Sequence, residues 1–140
     1  MKIDALGITG EVFKWIEDWL KDREQRVVLL GSNSKWTRVK SGVPQGSVLG
    51  PLLFLIYFKD IDDICSNLLK FADDTKVFSV VQTQNDIDKL QRDLLNMGKW
   101  SQDWLMLFNV DKCKVMHLGI NNTKVNYELN GITLEEVTVK

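Results

Sequence analysis

Two neighbouring carboxylates are the residues of this sequence whose types and spacing best suit chemistry. Asp73 and Asp74 follow Phe71 and Ala72, and apolar stretches flank these four residues on both sides. Because paired carboxylates at a tight turn concentrate negative charge, a divalent cation neutralises them far better than a single lysine does. Such a pair suits phosphoryl transfer assisted by two metal ions. The alternative is a polar hairpin turn without a chemical role, since aspartate also favours turns for backbone reasons.

A second unusual segment starts with regularly spaced glycines and ends in an apolar run. Gly42, Gly46 and Gly50 allow the backbone to approach another molecule closely, and Pro44 stiffens the loop. Gln45 offers a donor and an acceptor in a neutral side chain. The loop is therefore suited to pressing against a nucleotide.

Together the two segments resemble reverse transcriptases, specifically those encoded by non-LTR (LINE-like) retrotransposons. The nucleotide-contacting block of that family has the form SGVPQGSxLGPLLF, which residues 41–54 reproduce. The catalytic block has the form F/Y-A-D-D, which residues 71–74 reproduce. Residues 94–112 also resemble the later palm motif of the family, so the similarity covers roughly residues 6–134.

The resemblance implies an α+β fold with a polymerase-palm-like antiparallel sheet packed on helices. The chain, residues 1–140, is then one partial reverse-transcriptase domain, a palm fragment truncated at both ends that lacks the start of the fingers and the thumb. In such enzymes a primer 3′-hydroxyl attacks the α-phosphate of an incoming nucleotide with two Mg²⁺ ions bound, and Mn²⁺ is the alternative cofactor. The implied partners are an RNA template, a DNA primer and deoxynucleotide triphosphates.

The resemblance also assigns roles to individual residues. Asp73 is expected to be the principal metal ligand and Asp74 the second catalytic acid, with a weaker or indirect contact to the metal. Phe71 is expected to pack beneath the site, and Ala72 to keep the approach to it open. Lys112 matches a lysine of the later palm motif and is expected near the nucleotide phosphates. Three adjacent loop residues are expected to line the nucleotide and template pocket: Pro44, Gln45 and Gly46.

One carboxylate that the family requires has no counterpart in these residues. The family carries it upstream, in a motif resembling AFD, whereas Asp4 is the only acid before Gly7 and its neighbours do not resemble that motif. A surface or helix-start role is favoured for Asp4. Because loss of a ligand shared by two metals removes several kcal/mol of transition-state stabilisation, we expect no useful polymerase activity from this chain alone. The alternative function is a non-catalytic, domesticated or relic module that binds nucleic acid or protein.

Composition narrows the remaining classes of protein. A chain of 140 residues with 44% hydrophobic content can bury a core for one domain. The net charge of -1 means that any nucleic-acid-binding surface must be local. Two cysteines without metal-site spacing indicate free thiols in a reducing, intracellular compartment, with nucleus and cytoplasm both open. No stretch has the pattern of a signal peptide or a membrane span. Truncation of a palm domain exposes apolar surface, which predicts self-association.

Hydrophobic periodicity predicts the elements that position the candidate residues. Ser47 is expected to cap a buried helix, and Asn85 to start the helix that covers one face of the sheet. The acid pair is expected at the turn of a hairpin. The predicted elements are a helix over 10–22, a hairpin of 27–30 and 36–39 with its turn at 31–34, a buried helix over 48–60, a hairpin of 68–72 and 76–81, a helix over 85–104, short strands at 115–118 and 125–129 around a turn at 119–122, and a further turn at Asn130-Gly131.

Overall fold

The computed structural model describes residues 2–65 and 67–138 and divides the chain into two compact units. The first unit ends at Lys59 and the second begins at Asp60. Helices and strands are mixed in both, which confirms an α+β composition. The strands of the described residues form five separate two-stranded ladders, four antiparallel and one parallel, instead of one antiparallel sheet. The paired strands contain only two to four residues each. Within the described residues each strand has a single neighbour, so no larger sheet forms.

The first unit consists of three helices and an irregular hairpin. Helix α1 was not predicted, whereas α2 occupies most of its predicted range. Lys2 of α1 donates a hydrogen bond to the Tyr57 carbonyl and lies 4.5 Å from the Tyr57 ring centroid, which ties α1 to α3. The elements are α1 (Lys2–Ala5), α2 (Gly10–Leu20), β1 (Glu24–Gln25), β2 (Val28–Leu29), β3 (Ser32–Asn33), β4 (Thr37–Arg38) and α3 (Leu49–Phe58).

The hairpin of the first unit has a tighter turn than the sequence predicts. Leu30 and Gly31 form the turn with φ of 47° and 80°, the two positive values of a type I′ turn. Ser32 and Asn33, expected in the turn, are therefore strand residues paired with β2. The register shifts by one residue between the β2–β3 and β1–β4 ladders, so the returning strand carries one extra residue, as in a β-bulge.

Helix α3 is only partly buried, which corrects the prediction of a buried helix. Gly50, Leu53 and Phe58 are buried, but Leu52 and Leu55 are 52% and 59% exposed. A helix that is apolar on all sides needs cover on all sides. Within the described residues, the first unit covers one side of α3.

Among the described residues, the second unit contains the acid hairpin, a long helix and four further strands. Its elements are a 3-10 helix (Lys59–Asp63), β5 (Leu68–Phe71), β6 (Asp74–Val77), α4 (Gln84–Asp103), a 3-10 helix (Val110–Lys112), β7 (Lys114–Met116), β8 (Glu128–Leu129), β9 (Ile132–Thr133) and β10 (Glu135–Val137). In the part of the chain that the structure describes, no helix is both long and apolar enough to cross a membrane.

Helix α4 begins with a capping box two residues before the predicted Asn85. The Thr83 hydroxyl accepts a hydrogen bond from the Asp86 amide, and the Asp86 carboxylate accepts one from the Thr83 amide. Hydrogen bonds to that carboxylate, first from the Thr83 hydroxyl and then from the amides of Gln82 and Thr83, lower the pKa of Asp86. The predicted range of the helix is therefore confirmed to within one residue, whereas the residue predicted to start it is wrong, because Thr83 is the cap.

The core of the second unit lies against α4. Tyr127, Leu129 and Leu134 are buried together, with Leu90 and Leu94 of α4 among the side chains packed against them. Burial raises the pKa of the Tyr127 phenol.

The strands at the end of this unit pair differently from the predicted hairpin. Strand β7 pairs with β10 in parallel, so the pairing expected between the 115–118 and 125–129 segments does not form. The turn at Asn130-Gly131 is confirmed, because β8 and β9 pair on either side of it.

Helix α4 and the β8–β9 hairpin approach closely at a glycine. A Cβ atom on Gly98 would lie 2.4 Å from the Asn130 Oδ1 atom and 3.6 Å from a Leu129 methyl carbon. A Cβ atom at this position therefore requires the Asn130 side chain to shift. Gly98 leaves room for that side chain between the helix and the hairpin.

Candidate active site

The acid pair lies at the tip of the β5–β6 hairpin. Phe71 pairs with Asp74 across the ladder, which leaves Ala72 and Asp73 as a two-residue turn. Ala72 has a φ of 53°, in the left-handed region that costs a non-glycine residue about 1 kcal/mol. The predicted hairpin with the acids at its turn is confirmed.

The two faces of this hairpin differ in exposure because side chains alternate along each strand. Phe71 shares a face with Asp74, and its side chain is 84% exposed. The expectation that Phe71 packs beneath the acids is therefore wrong for this structure, since the register directs it to the open face. The open face carries Leu69, Phe71, Asp74 and Lys76, all exposed.

Neither catalytic candidate is engaged by another side chain. Asp73 and Asp74 are exposed, and within residues 2–65 and 67–138 no ion pair or side-chain hydrogen bond involves them. The adjacent Lys70 instead pairs with Asp62, with 2.8 Å between Nζ and Oδ2. Both carboxylates are therefore open to solvent in the part of the chain that the structure describes.

The donor set of the hairpin fits an open magnesium site. Mg²⁺ takes oxygen ligands and usually keeps several waters, with one or two carboxylates and substrate phosphates completing the octahedron. Asp73 and Asp74 supply two such carboxylates at one turn. Among the described residues no group of three or more acidic, histidine or cysteine side chains forms a closed metal cage.

The segment that carries Gly42 and Gly46, here called the glycine loop, is tied to the start of α3 by one serine. The Ser47 hydroxyl donates to the Pro44 carbonyl at 2.7 Å and accepts from the Gly50 amide at 3.0 Å. A Cβ on Gly50 would lie 2.9 Å from that hydroxyl oxygen. Ser47 therefore accepts a first-turn amide as a cap does, but the helix starts at Leu49 and its N-cap position is Val48, one residue after the predicted one.

The three predicted nucleotide-lining residues differ in exposure. Gln45 and Gly46 are exposed, whereas Pro44 is half-buried. Gly46 has a φ of 78°, in the left-handed region that favours glycine. The Gln45 amide makes no side-chain hydrogen bond within the described residues, so it can bind a ligand.

Arg23 anchors the loop and was missed by sequence reasoning. Its Nη2 donates to the Gly42 carbonyl, and its Nε donates to the Leu20 carbonyl at 2.9 Å. These bonds join the loop entry to the end of α2. No local pattern signals them, because Arg23 and Gly42 are 19 residues apart.

Lys112 lies in the 3-10 helix before β7 and is exposed. It makes no ion pair with Asp73 or Asp74 among the described residues. The acid pair and Lys112 belong to the second unit, and the glycine loop belongs to the first. The role of Lys112 near nucleotide phosphates stays a prediction.

Replacing Ser47 with alanine is expected to lower the free energy of unfolding by about 1 kcal/mol, since the Gly50 amide loses its acceptor and the loop loses its tie to the helix. Urea denaturation followed by circular dichroism measures the change. Ser32→Ala is the matched control, because Ser32 is exposed in the same unit. Equal stability losses in the two variants would contradict the capping role.

The acid hairpin and the glycine loop, taken with their motifs, indicate a template-copying polymerase domain. The chain belongs to the reverse transcriptase (RNA-dependent DNA polymerase) family, whose pattern it matches over residues 2–134. This confirms the resemblance seen in the two sequence blocks. No solved structure matches the chain significantly.

Three curated relatives are polymerases of mobile elements from Drosophila melanogaster. The RNA-directed DNA polymerase from mobile element jockey is 27% identical over 113 residues, covering 74% of this chain and 12% of the relative. The probable RNA-directed DNA polymerase from transposon X-element is 31% identical over 121 residues, covering 81% and 12%. The probable enzyme from transposon BS is 28% identical over 137 residues, covering 86% and 15%. The chain thus spans a small part of the length of these relatives.

Proposed function

We propose that this chain supplies the aspartate pair and the nucleotide loop of an RNA-directed DNA polymerase that uses two-metal nucleotidyl transfer. The observation that carries the proposal is the exposed position of Asp73 and Asp74 at a hairpin turn, in a chain of the reverse transcriptase family. One aspartate can favour a turn for backbone reasons, but a second adjacent carboxylate adds like-charge repulsion to a purely structural turn. A cation-dependent site gains its ligands from them.

The acids act by holding divalent cations and orienting phosphate oxygens. Asp73 would hold the metal from the turn, and Asp74 from the first position of β6. Bound Mg²⁺ or Mn²⁺ supplies the positive charge that activates a primer 3′-hydroxyl and stabilises departing pyrophosphate. Exposure of the Phe71 and Asp74 face leaves room for a nucleotide beside the acids. A palm-like role for the β5–β6 hairpin and α4 is part of the same proposal.

The loop of the first unit and Lys112 of the second unit have proposed contacts of their own. Gln45 would contact the nucleotide or template through its amide, and Gly46 would allow close backbone approach. Pro44 would fix the loop, and Lys112 would attract phosphates. The proposed partners are an RNA template, a DNA primer and deoxynucleotide triphosphates, as the names of the relatives indicate for those proteins.

These 140 residues are proposed to be inactive on their own, because they carry two of the three carboxylates that the chemistry uses. The second candidate function is a non-catalytic module that binds nucleic acid or protein. Self-association through exposed apolar surface is proposed for either function.

Manganese binding tests the acid site in the chain as it exists. Paramagnetic Mn²⁺ added to the ¹⁵N-labelled protein is expected to broaden the amide signals of residues 72–75 before those of other acidic segments, because the carboxylate pair binds the ion most tightly. Asp73→Asn is expected to remove this preference, and Asp103→Asn to leave it unchanged. Broadening that is spread evenly over the acidic residues would refute the metal site.

A further inference from the structure

The hairpin of the first unit exposes an apolar strand at its tip. Val27, Val28, Leu29 and Leu30 are consecutive and are 68%, 61%, 68% and 98% exposed. Every residue from Glu24 to Arg38 is exposed, so neither face of this hairpin is packed. A two-stranded hairpin without a covered face is at best marginally stable in water, so a partner for this one is expected.

The outer edge of the strand is open for pairing. Within the described residues β1 pairs only with β4 and β2 only with β3, so the opposite edge of both strands lacks a neighbour. The Ser34 amide donates to the Val27 carbonyl, which directs the backbone of Val27 into the hairpin. Alternation then directs the backbone groups of Arg26 and Val28 outward. An open edge of this kind is a template for another strand.

The charge pattern selects a neutral strand as the occupant. No charged side chain occurs between Arg26 and Lys35. A phosphate backbone finds no cation along the tip itself, whereas an uncharged apolar strand meets no unpaired charge there. The tip is therefore complementary to a copy of itself.

We propose that two copies of this chain pair antiparallel along residues 25–29, with Val27 facing Val27 of the second copy. This register hydrogen-bonds the outward backbone groups of Arg26 to those of Val28 in the second copy. A register two residues lower would place Arg26 opposite Arg26, and like charges directly opposite destabilise a sheet. In the proposed register Gln25 faces Leu29, and no like charges oppose one another. The inference specifies the proposed self-association and is independent of the metal site.

Sedimentation velocity over a wide range of protein concentration tests the proposal without metal or nucleotide. The unmodified chain is expected to form a dimer. Val27→Lys places two lysines opposite each other and is expected to raise the dimer dissociation constant about a hundredfold. Leu69→Lys is the matched control, because Leu69 is an exposed leucine, at 59%, on the β5–β6 hairpin. It is expected to leave the constant unchanged.

Mixing two variants of opposite charge provides the most specific test. A mixture of Val27→Lys and Val27→Glu chains is expected to form a mixed dimer, although each variant alone is monomeric. Amide exchange of Val28 in the unmodified chain is expected to slow as concentration rises, and this readout needs no substitution.

A monomeric unmodified chain, an equal effect of Leu69→Lys, or failure of the mixture to dimerise would overturn the proposal. None of these outcomes affects the manganese experiment. The dimer and the metal site are therefore tested independently.

Discussion

Replacing Asp73 with asparagine is expected to lower primer extension about a thousandfold in a polymerase that carries this segment, an effect of about 4 kcal/mol on the transition state. Asparagine keeps the size of the side chain but removes the charge that binds a divalent cation. The test protein is a hybrid in which residues 2–134 of this chain replace the matching part of the jockey polymerase. The jockey protein then supplies the remaining parts of the polymerase. Extension on an RNA template with labelled primer and Mg²⁺ measures the rate.

The controls separate chemistry from folding. Asp62→Asn removes an exposed carboxylate that pairs with Lys70 and is expected to leave extension within about twofold, since exposed ion pairs contribute little. Asp74→Asn is expected to reduce extension less than Asp73→Asn. The 140 residues by themselves are expected to extend no primer. Extension that persists in the Asp73→Asn hybrid would end the assignment of Asp73 as principal ligand.

Replacing Gly98 with alanine is expected to destabilise the second unit by about 1 kcal/mol, because the added methyl group must displace the Asn130 side chain at a cost larger than the gain in helix propensity. The result runs against helix propensity, which favours alanine over glycine by about 1 kcal/mol. Thermal and urea unfolding of the variant measure the loss. A stabilised variant would show that α4 and the β8–β9 turn do not pack as described.

A second substitution identifies the cause of that loss. Asn130→Gly removes the atoms that the new methyl group meets and suits the left-handed φ of 54° at this position. The Gly98→Ala and Asn130→Gly double variant is expected to regain most of the lost stability. Lys99→Ala, on the exposed side of the same helix, is expected to change stability by less than about 0.5 kcal/mol. Additive losses in the double variant would exclude the predicted steric contact.

Local features of the fold were predictable from the sequence. The Asp73-Asp74 turn, the bond from the Gly50 amide to Ser47 and the Asn130-Gly131 turn each depend on interactions within a few residues. The range of α4 followed from its apolar stripe. The candidate acids were recognisable because residue type and turn geometry occur in one short block.

Features that join distant residues were not predictable. Periodicity says which residues are apolar but not which strand pairs with which, so the parallel β7–β10 ladder was missed. The bond from Arg23 to the Gly42 carbonyl has no sequence signature. The apolar run of α3 predicted burial, yet burial also depends on the surfaces that surround the helix, and Leu52 and Leu55 remain exposed.

The uneven burial of the tryptophans gives the protein an internal optical reporter. Trp100 is 5% exposed and its indole N–H donates to the Asp60 carboxylate at 3.1 Å, whereas Trp15 and Trp36 are 56% and 58% exposed. Because Trp15 and Trp36 are already largely exposed to water, loss of structure around them shifts the spectrum less than exposure of Trp100 does. A red shift of the intrinsic fluorescence therefore follows mainly the opening of the second unit, and half-buried Trp19 adds a smaller signal from the first.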